Sequence, residues 1–226
     1  MQRIAAAELL DDDRGTRREV AESLADIWTM NRWFGGVSGS MRLLLLFFER
    51  TGLGAARILD VGCGDARMAT DLQRRLRRRG FSAELFVLDR RLSHLESHPG
   101  MLHGLTPLIG DALELPLAPG SVDVVMCNLF LHHFCGESAQ GLLQELSSVA
   151  GRAVLINDLE RHGLAYFISH CFGPFFRSPL SRHDGPASVR QAYTRDELRT
   201  LAEAAGFQGY EVLRLPMFRL GLILWK

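Results

Sequence analysis

Lysine is almost missing from this chain: Lys226 is the only one, and arginine supplies the rest of the 26 basic side chains. Alanine is frequent as well, a bias that fits genomic base composition rather than a function. The basic residues are matched by 26 acidic ones, so no net field draws the chain to nucleic acid or to an anionic membrane. The four cysteines, Cys63, Cys127, Cys135 and Cys171, form no Cys-x-x-Cys pair, which favours reduced thiols in a cytoplasmic protein. Long apolar runs are missing too. "LLLLFF", Leu43 to Phe48, is far short of the roughly 20 residues a membrane helix needs. The first residues carry acidic side chains where an export signal avoids them. A chain of 226 residues suits one α/β domain with additions.

What is present is alternation. From Arg57 onward short β-rich runs exchange with helical stretches, and strands are predicted over 57–61, 84–88, 107–109, 122–127 and 152–157, with helices near 68–79 and 138–149. Nearly continuous apolar strands such as "VDVVMCN" require a sheet covered on both faces. The order is that of an α/β, doubly wound, Rossmann-like parallel sheet. Ahead of it, residues 17–52 read as two or more helices broken at Gly35–Gly36. Between 160 and 192 the period is lost among aromatics, prolines and "RHDGP", which reads as an inserted helical cap. "TRDELRTLAEAAGF" restores a helix, opened by a capping box of Thr194 and Glu197 and closed by Gly206. Two strands, "YEVLRL" and "FRLGLILW", then turn at Pro216 into an antiparallel hairpin at the sheet's edge. The expectation is a single domain: an N-terminal helical cap over 1–56, a ligand-binding core over 57–159, a cap insertion over 160–192, and a C-terminal helix and hairpin over 193–226.

The chemistry starts in "ILDVGCGDAR", where a strand runs into a Gly-x-Gly turn and then a helix, the arrangement that brings backbone N–H groups close to a nucleotide. A dinucleotide fingerprint requires Gly-x-Gly-x-x-Gly, yet counting from Gly62 puts Arg67 at the sixth place. Asp60 weakens the dinucleotide reading further, because a carboxylate beside the first glycine suits an ammonium group and not a pyrophosphate. S-adenosylmethionine, with an ammonium, a sulfonium and no phosphate, fits the turn formed by Asp60, Gly62, Cys63 and Gly64. Asp89, with Arg90 after it, ends the second strand where an acidic side chain accepts from ribose hydroxyls. Asp111 and Ala112 follow the third strand, where a carboxylate could accept from the adenine amino group. Asn128 ends the fourth.

These motifs, "LDVGCGDAR", "VLDRR", "GDALELPLAPGSVDVVMCN" and "LHHF", resemble the class I S-adenosylmethionine-dependent methyltransferases, above all the ubiquinone/menaquinone-biosynthesis-like branch. The tail from "NDLERHGLAYF" to "RTLAEAAGF" is similar to small-molecule methyltransferases found beside polyketide synthases. The resemblance implies a seven-stranded sheet with its last strand antiparallel, direct methyl transfer, and S-adenosylhomocysteine as product. The chain departs at Ala66, where many relatives have a third glycine.

For the acceptor, O-methylation of a small hydrophobic or aromatic compound, phenolic, quinol or polyketide-like, is the leading expectation. A histidine near neutral pKa is a suitable base, and the candidates are His183 beside Asp184, or one of His132 and His133. Adjacent residues on a helix point about 100° apart, so only one of that pair is expected to face the cofactor. The aromatics concentrated in 28–34 and 166–176 are either core or the lining of a substrate cavity. The strand ends offer Asn128, Asn157 and Asp158, only one of them charged, and no Cys/His pair has zinc-ligand spacing, so a metal-free site is expected. The arginine-rich "QRRLRRRG" closes a helix whose C-terminus favours cations, and is read as a solvated face. A protein or nucleic-acid methyltransferase would carry an Asn-Pro-Pro-aromatic motif or similar after the fourth strand, where this chain reads "NLFLHH". A non-catalytic cofactor-binding protein is the third class, and it would keep the turn without an acceptor cavity.

Overall fold

The computed structural model describes residues 1–4, 6–12 and 14–226. Seven strands form one sheet: β1 (Ala55–Val61), β2 (Ser82–Asp89), β3 (Thr106–Ile109), β4 (Val122–Asn128), β5 (Ala150–Leu159), β6 (Tyr210–Leu215) and β7 (Arg219–Trp225). Their order across the sheet is β3-β2-β1-β4-β5-β7-β6. The first five run parallel, and β7 is antiparallel to both β5 and β6. The hairpin lies at the sheet's edge as expected, and it joins the sheet through its second strand, β7, which pairs with β5 and leaves β6 outermost. At its turn Met217 and Phe218 both take positive φ.

Why the central strands are almost wholly apolar is plain from their cover. Leu59, Val61, Val125 and Ile156 pack into one core with α5 (Glu137–Val149) and α8 (Arg195–Ala204). Ile58, Val124, Met126 and Leu155 face the other way, into a core with α2 (Gly36–Thr51) and α3 (Arg67–Arg77). α1 (Arg17–Trp33) starts at a capping box of Thr16 and Glu19, and α8 at the expected one of Thr194 and Glu197. Gly35, at φ +79°, makes the break between α1 and α2, where a Cβ would fall 2.5 Å from the Pro216 carbonyl oxygen.

The segment that shows no clear period in the sequence is helical, in line with the inserted helical cap expected there. α6 (Gly163–Phe172), a 3-10 turn and α7 (Pro179–Gln191) lie between β5 and α8, and α4 (Leu92–Glu96) is a further short helix after β2. "RHDGP" falls inside α7, where Pro186 has no N–H to continue the helical ladder. α7 holds because it is packed on α1: Ser178 caps it, and that residue's hydroxyl also donates to the Glu19 carbonyl at 2.8 Å. Among the described residues no helix is long and apolar enough to cross a membrane.

Candidate functional site

Four strand ends and the N-terminal segment enclose a cavity of about 370 Å³. At its floor β1 ends and the chain turns at Gly62 (φ +71°) and Gly64 (φ +58°). The turn is fastened to β2, since the N–H groups of Gly62 and Cys63 donate to the Leu88 carbonyl at 2.9 and 3.1 Å and Gly64 N–H donates to Asp89 Oδ2 at 2.8 Å. A Cβ on Gly62 would fall 2.7 Å from the Phe130 ring, so the glycine is required by a neighbouring side chain as well as by its φ. Ala66 takes φ +59° at the entry to α3, a conformation that favours glycine, and its methyl is fully buried.

Asp60 is buried, and its Oδ1 accepts from Asn128 Nδ2 at 3.0 Å. Burial, with Asp89 nearby, pushes its carboxyl up to about 7, against the Asn128 bond that lowers it. Asn128 is itself set by Ser40 of α2, whose hydroxyl donates to Asn128 Oδ1 at 2.5 Å and accepts from Asn157 Nδ2 at 2.8 Å. This chain ties the ends of β1, β4 and β5 to one helix. Asp89 is more committed than a free strand-end carboxylate: it accepts from Gly64 and Arg91 N–H groups, and His94 Nδ1 stands 3.2 Å from Oδ1. At most one of its roughly four lone-pair positions is left for a ligand. Asp111 is exposed, accepts from Leu113 N–H at 2.9 Å, and lines the cavity with Ala112 and Arg90. The thiol of Cys63 is pushed well up by burial and by the carboxyls of Asp89, Asp60 and Asp65, so it stays protonated and is no nucleophile.

Two histidines complete the lining. His132 and His133 sit on a 3-10 turn, Leu131–His133, after β4, with ring centroids 4.2 Å apart. Both line the cavity, against the expectation that one would turn away, because they lie on a single short turn with their rings against each other. His132 is 2 % exposed. Its Nδ1 is 2.7 Å from Asp158 Oδ1, its backbone N–H donates to Asp158 Oδ2, and its Nε2 is 3.3 Å from Glu8 Oε1. Burial alone would lower its pKa, but Asp158 and Glu8 together raise it to about 10. His132 is therefore an imidazolium at neutral pH. His133 Nδ1 stands 3.0 Å from Asp11 Oδ2.

His183 stands apart from this group. It is on α7, its side chain 53 % exposed, its Nδ1 2.8 Å from Asp184 Oδ1, and it is not among the cavity's lining residues. Asp184 has a structural task instead: its carboxylate accepts from the N–H groups of Leu9 and Leu10 at 2.9 and 3.1 Å. That clasp holds Glu8 and Asp11 over the histidines. Glu8, Asp11 and Ser40 are the site residues that sequence reasoning missed, and no local spacing could show them, because they reach the strand ends only through the fold. The aromatics are also redistributed. Trp28, Phe130 and Phe134 line the cavity, whereas Trp33, Phe167 and Phe175 are exposed at 73 %, 64 % and 79 %.

Residues 58–151 match a family described as "Methyltransferase domain". No curated protein matches the chain in sequence. Among solved structures, the plantazolicin methyltransferase BpumL in complex with a pentazolic desmethylPZN analog and SAH is similar with a TM-score of 0.67 and 17% identity, over 92% of this chain and 96% of that one. A Thermotoga maritima SAM-dependent methyltransferase, described as a possible histamine N-methyltransferase, gives a TM-score of 0.60 at 15% identity over 93% and 97%. Magnesium protoporphyrin IX methyltransferase from Synechocystis PCC 6803, with bound SAH, gives 0.56 at 16% identity over 83% and 82%.

Proposed function

We propose that this chain, whose residues 58–151 match a family described as a methyltransferase domain, transfers a methyl group to a small hydrophobic acceptor, by O-methylation of a phenolic, quinol or polyketide-type compound. The observation that carries the reading is one cavity lined by two chemically different groups of residues. The Gly62–Gly64 turn, Asp60 and Asp89 suit a ligand bearing an ammonium and a ribose hydroxyl, and His132, His133 and Glu8 line the same cavity with Phe130, Phe134 and Leu10. The neighbours with bound SAH carry the same fold, which supports S-adenosylmethionine as the cofactor here. When bound, it supplies an electrophilic methyl on a sulfonium.

The chain's own residues then have three tasks. Asp60 binds the ammonium as a carboxylate, so ligand entry draws a proton off it. Leu10, Ile27, Trp28 and Phe134 keep water from the acceptor and hold it in line at near-attack distance. The third task is the acceptor proton. The His132 imidazolium, oriented by Asp158, offers its Nε2–H to the acceptor oxygen and favours its anionic form, while the Glu8 carboxylate, which burial raises but His132 and His133 hold below the ordinary range, passes the acceptor proton on to solvent. A cavity of about 370 Å³ lies at the lower end of the range for a single drug-sized ligand, so acceptor entry requires residues 8–11 to move.

The test is methyl transfer from labelled S-adenosylmethionine to a panel of phenols, quinols and polyketides, with a peptide mixture and RNA alongside. Label on a small phenolic acceptor supports the reading. Label confined to peptide or RNA overturns it, and transfer to none of them would leave a cofactor-binding protein in its place. Replacing His132 with Ala should cost roughly 10²–10⁴-fold in turnover, whereas His183→Ala should leave turnover at the wild-type value.

A further inference from the structure

We propose that Glu8, His132 and His133 form a binding site for a divalent transition-metal ion at the acceptor end of the cavity. Each offers one ligand atom, and the three atoms lie within 4.8 Å of one another. A tetrahedral ion with bonds of about 2.0–2.1 Å sets its ligand atoms roughly 3.4 Å apart. Glu8 Oε1 lies 3.3 Å from His132 Nε2, already at ligand spacing, and 3.9 Å from His133 Nδ1, so binding requires the His133 ring to move inward.

The surroundings are those of a prepared ligand set. His132 Nε2 is buried and makes no hydrogen bond beyond its 3.3 Å ion pair with Glu8 Oε1, itself one of the three ligand atoms. The ring's other nitrogen is held by Asp158, the carboxylate–histidine arrangement that fixes the tautomer presenting Nε2 to a metal. Glu8 is oriented in turn by Ser188 Oγ and Gln191 Nε2, which donate to its Oε1 at 2.7 and 3.0 Å. Three carboxylates, Glu8, Asp158 and Asp11, surround two imidazoles, so the cluster requires positive charge. A dication bound to Nε2 supplies it, and any proton on that nitrogen leaves to solvent as the M–N bond forms. Two imidazole ligands with one carboxylate favour zinc, cobalt or iron(II) over magnesium or calcium, which take oxygen ligands. Three protein ligands leave a fourth position, bordered by Asp11 Oδ2, that opens on the cavity. Resting on the function proposed above, the ion would hold the acceptor oxygen at that position and take over from the His132 Nε2–H the task of favouring its anionic form.

The experiment is titration of the metal-free full chain with Co²⁺, followed by calorimetry and by the visible d–d bands of a tetrahedral ion, with Mg²⁺ and Ca²⁺ at equal concentration. One Co²⁺ per chain with tetrahedral bands, proton release seen as a buffer-dependent heat, and no response to Mg²⁺ or Ca²⁺ is the expected result. Asp158→Asn should weaken Co²⁺ about 10- to 100-fold, and Glu8→Gln and His133→Ala more strongly still. His183→Ala, on an exposed histidine, should change nothing. Each variant's titration with S-adenosylmethionine shows that it is folded. Absence of Co²⁺ and Zn²⁺ binding, or binding that survives Glu8→Gln and His133→Ala, overturns the site and leaves a proton-bound clasp. Co²⁺ binding by a chain that methylates no small acceptor keeps the site and overturns the functional reading instead.

Discussion

Asp60 faces two demands that conflict. Its carboxyl sits near 7 because burial disfavours the charge, so the ligand-free protein carries a proton that the unfolded chain, at 3.8, gives up. The sign follows: this group's contribution to folding is fully present below about pH 4 and is lost as pH rises through about 7. A cationic ligand requires the carboxylate. Affinity for S-adenosylmethionine should therefore be level above pH 7 and fall about tenfold per pH unit below it, read by calorimetry at constant ionic strength. Asp60→Asn should raise the ligand-free melting temperature at pH 8 by roughly a few °C while weakening the cofactor and flattening that pH profile. A variant that keeps the wild-type profile would show that another group titrates. Asp89→Ala removes a charged acceptor, so cofactor affinity should drop about 10- to 150-fold. It also strands the N–H groups of Gly64 and Arg91, so the same variant should melt earlier. Gly62→Val should be worse than either, because the Phe130 ring already occupies the space of its Cβ. The placement of Asp60, Asp89, Asp111 and Asn128 around the cavity was legible in the sequence because each lies at or just past its own strand end. Glu8 was not, since only the fold carries it to His132.

Two elements decide whether the acceptor end is open or shut: the segment before α1, and α7. Their contact runs through Asp184, whose two oxygens hold Leu9 and Leu10 N–H groups, and through Arg3, whose guanidinium donates to the carbonyls of Gln191, His132 and Phe134. Arg90 and Arg91 add bonds to the Asp11 carbonyl from the cofactor side. Asp184→Ala should thus speed amide exchange at Leu9 and Leu10 by at least tenfold, about 1.4 kcal/mol, without changing exchange in β1 or β4. Unchanged exchange at Leu9 and Leu10 would show that the segment is held by something other than α7. The capping boxes of α1 and α8 show how local chemistry makes a helix readable. In α7 Gly185 and Pro186 hide a helix that packing against α1 enforces, and a reading based on periodicity could not recover it.

At the scale of the molecule, a parallel sheet covered on both faces dictates apolar strands, and those were readable from 57 onward. The edge hairpin was readable as well, whereas which of its two strands joins β5 depends on long-range pairing and was not. The fold places every cofactor candidate at the carboxyl ends of β1 to β4, where doubly wound sheets bind ligands. It brings β5 in as the second half of the site through Asn157 and Asp158. The central claim is that the Gly62–Gly64 turn holds S-adenosylmethionine and not a dinucleotide. Calorimetric titration of the full chain with S-adenosylmethionine, S-adenosylhomocysteine and NADH tests it most directly. One molecule of either sulfur ligand per chain, weakened by Asp89→Ala, with no heat from NADH, is the predicted result. Saturable NADH binding, or no binding of S-adenosylmethionine by the folded chain, would contradict it.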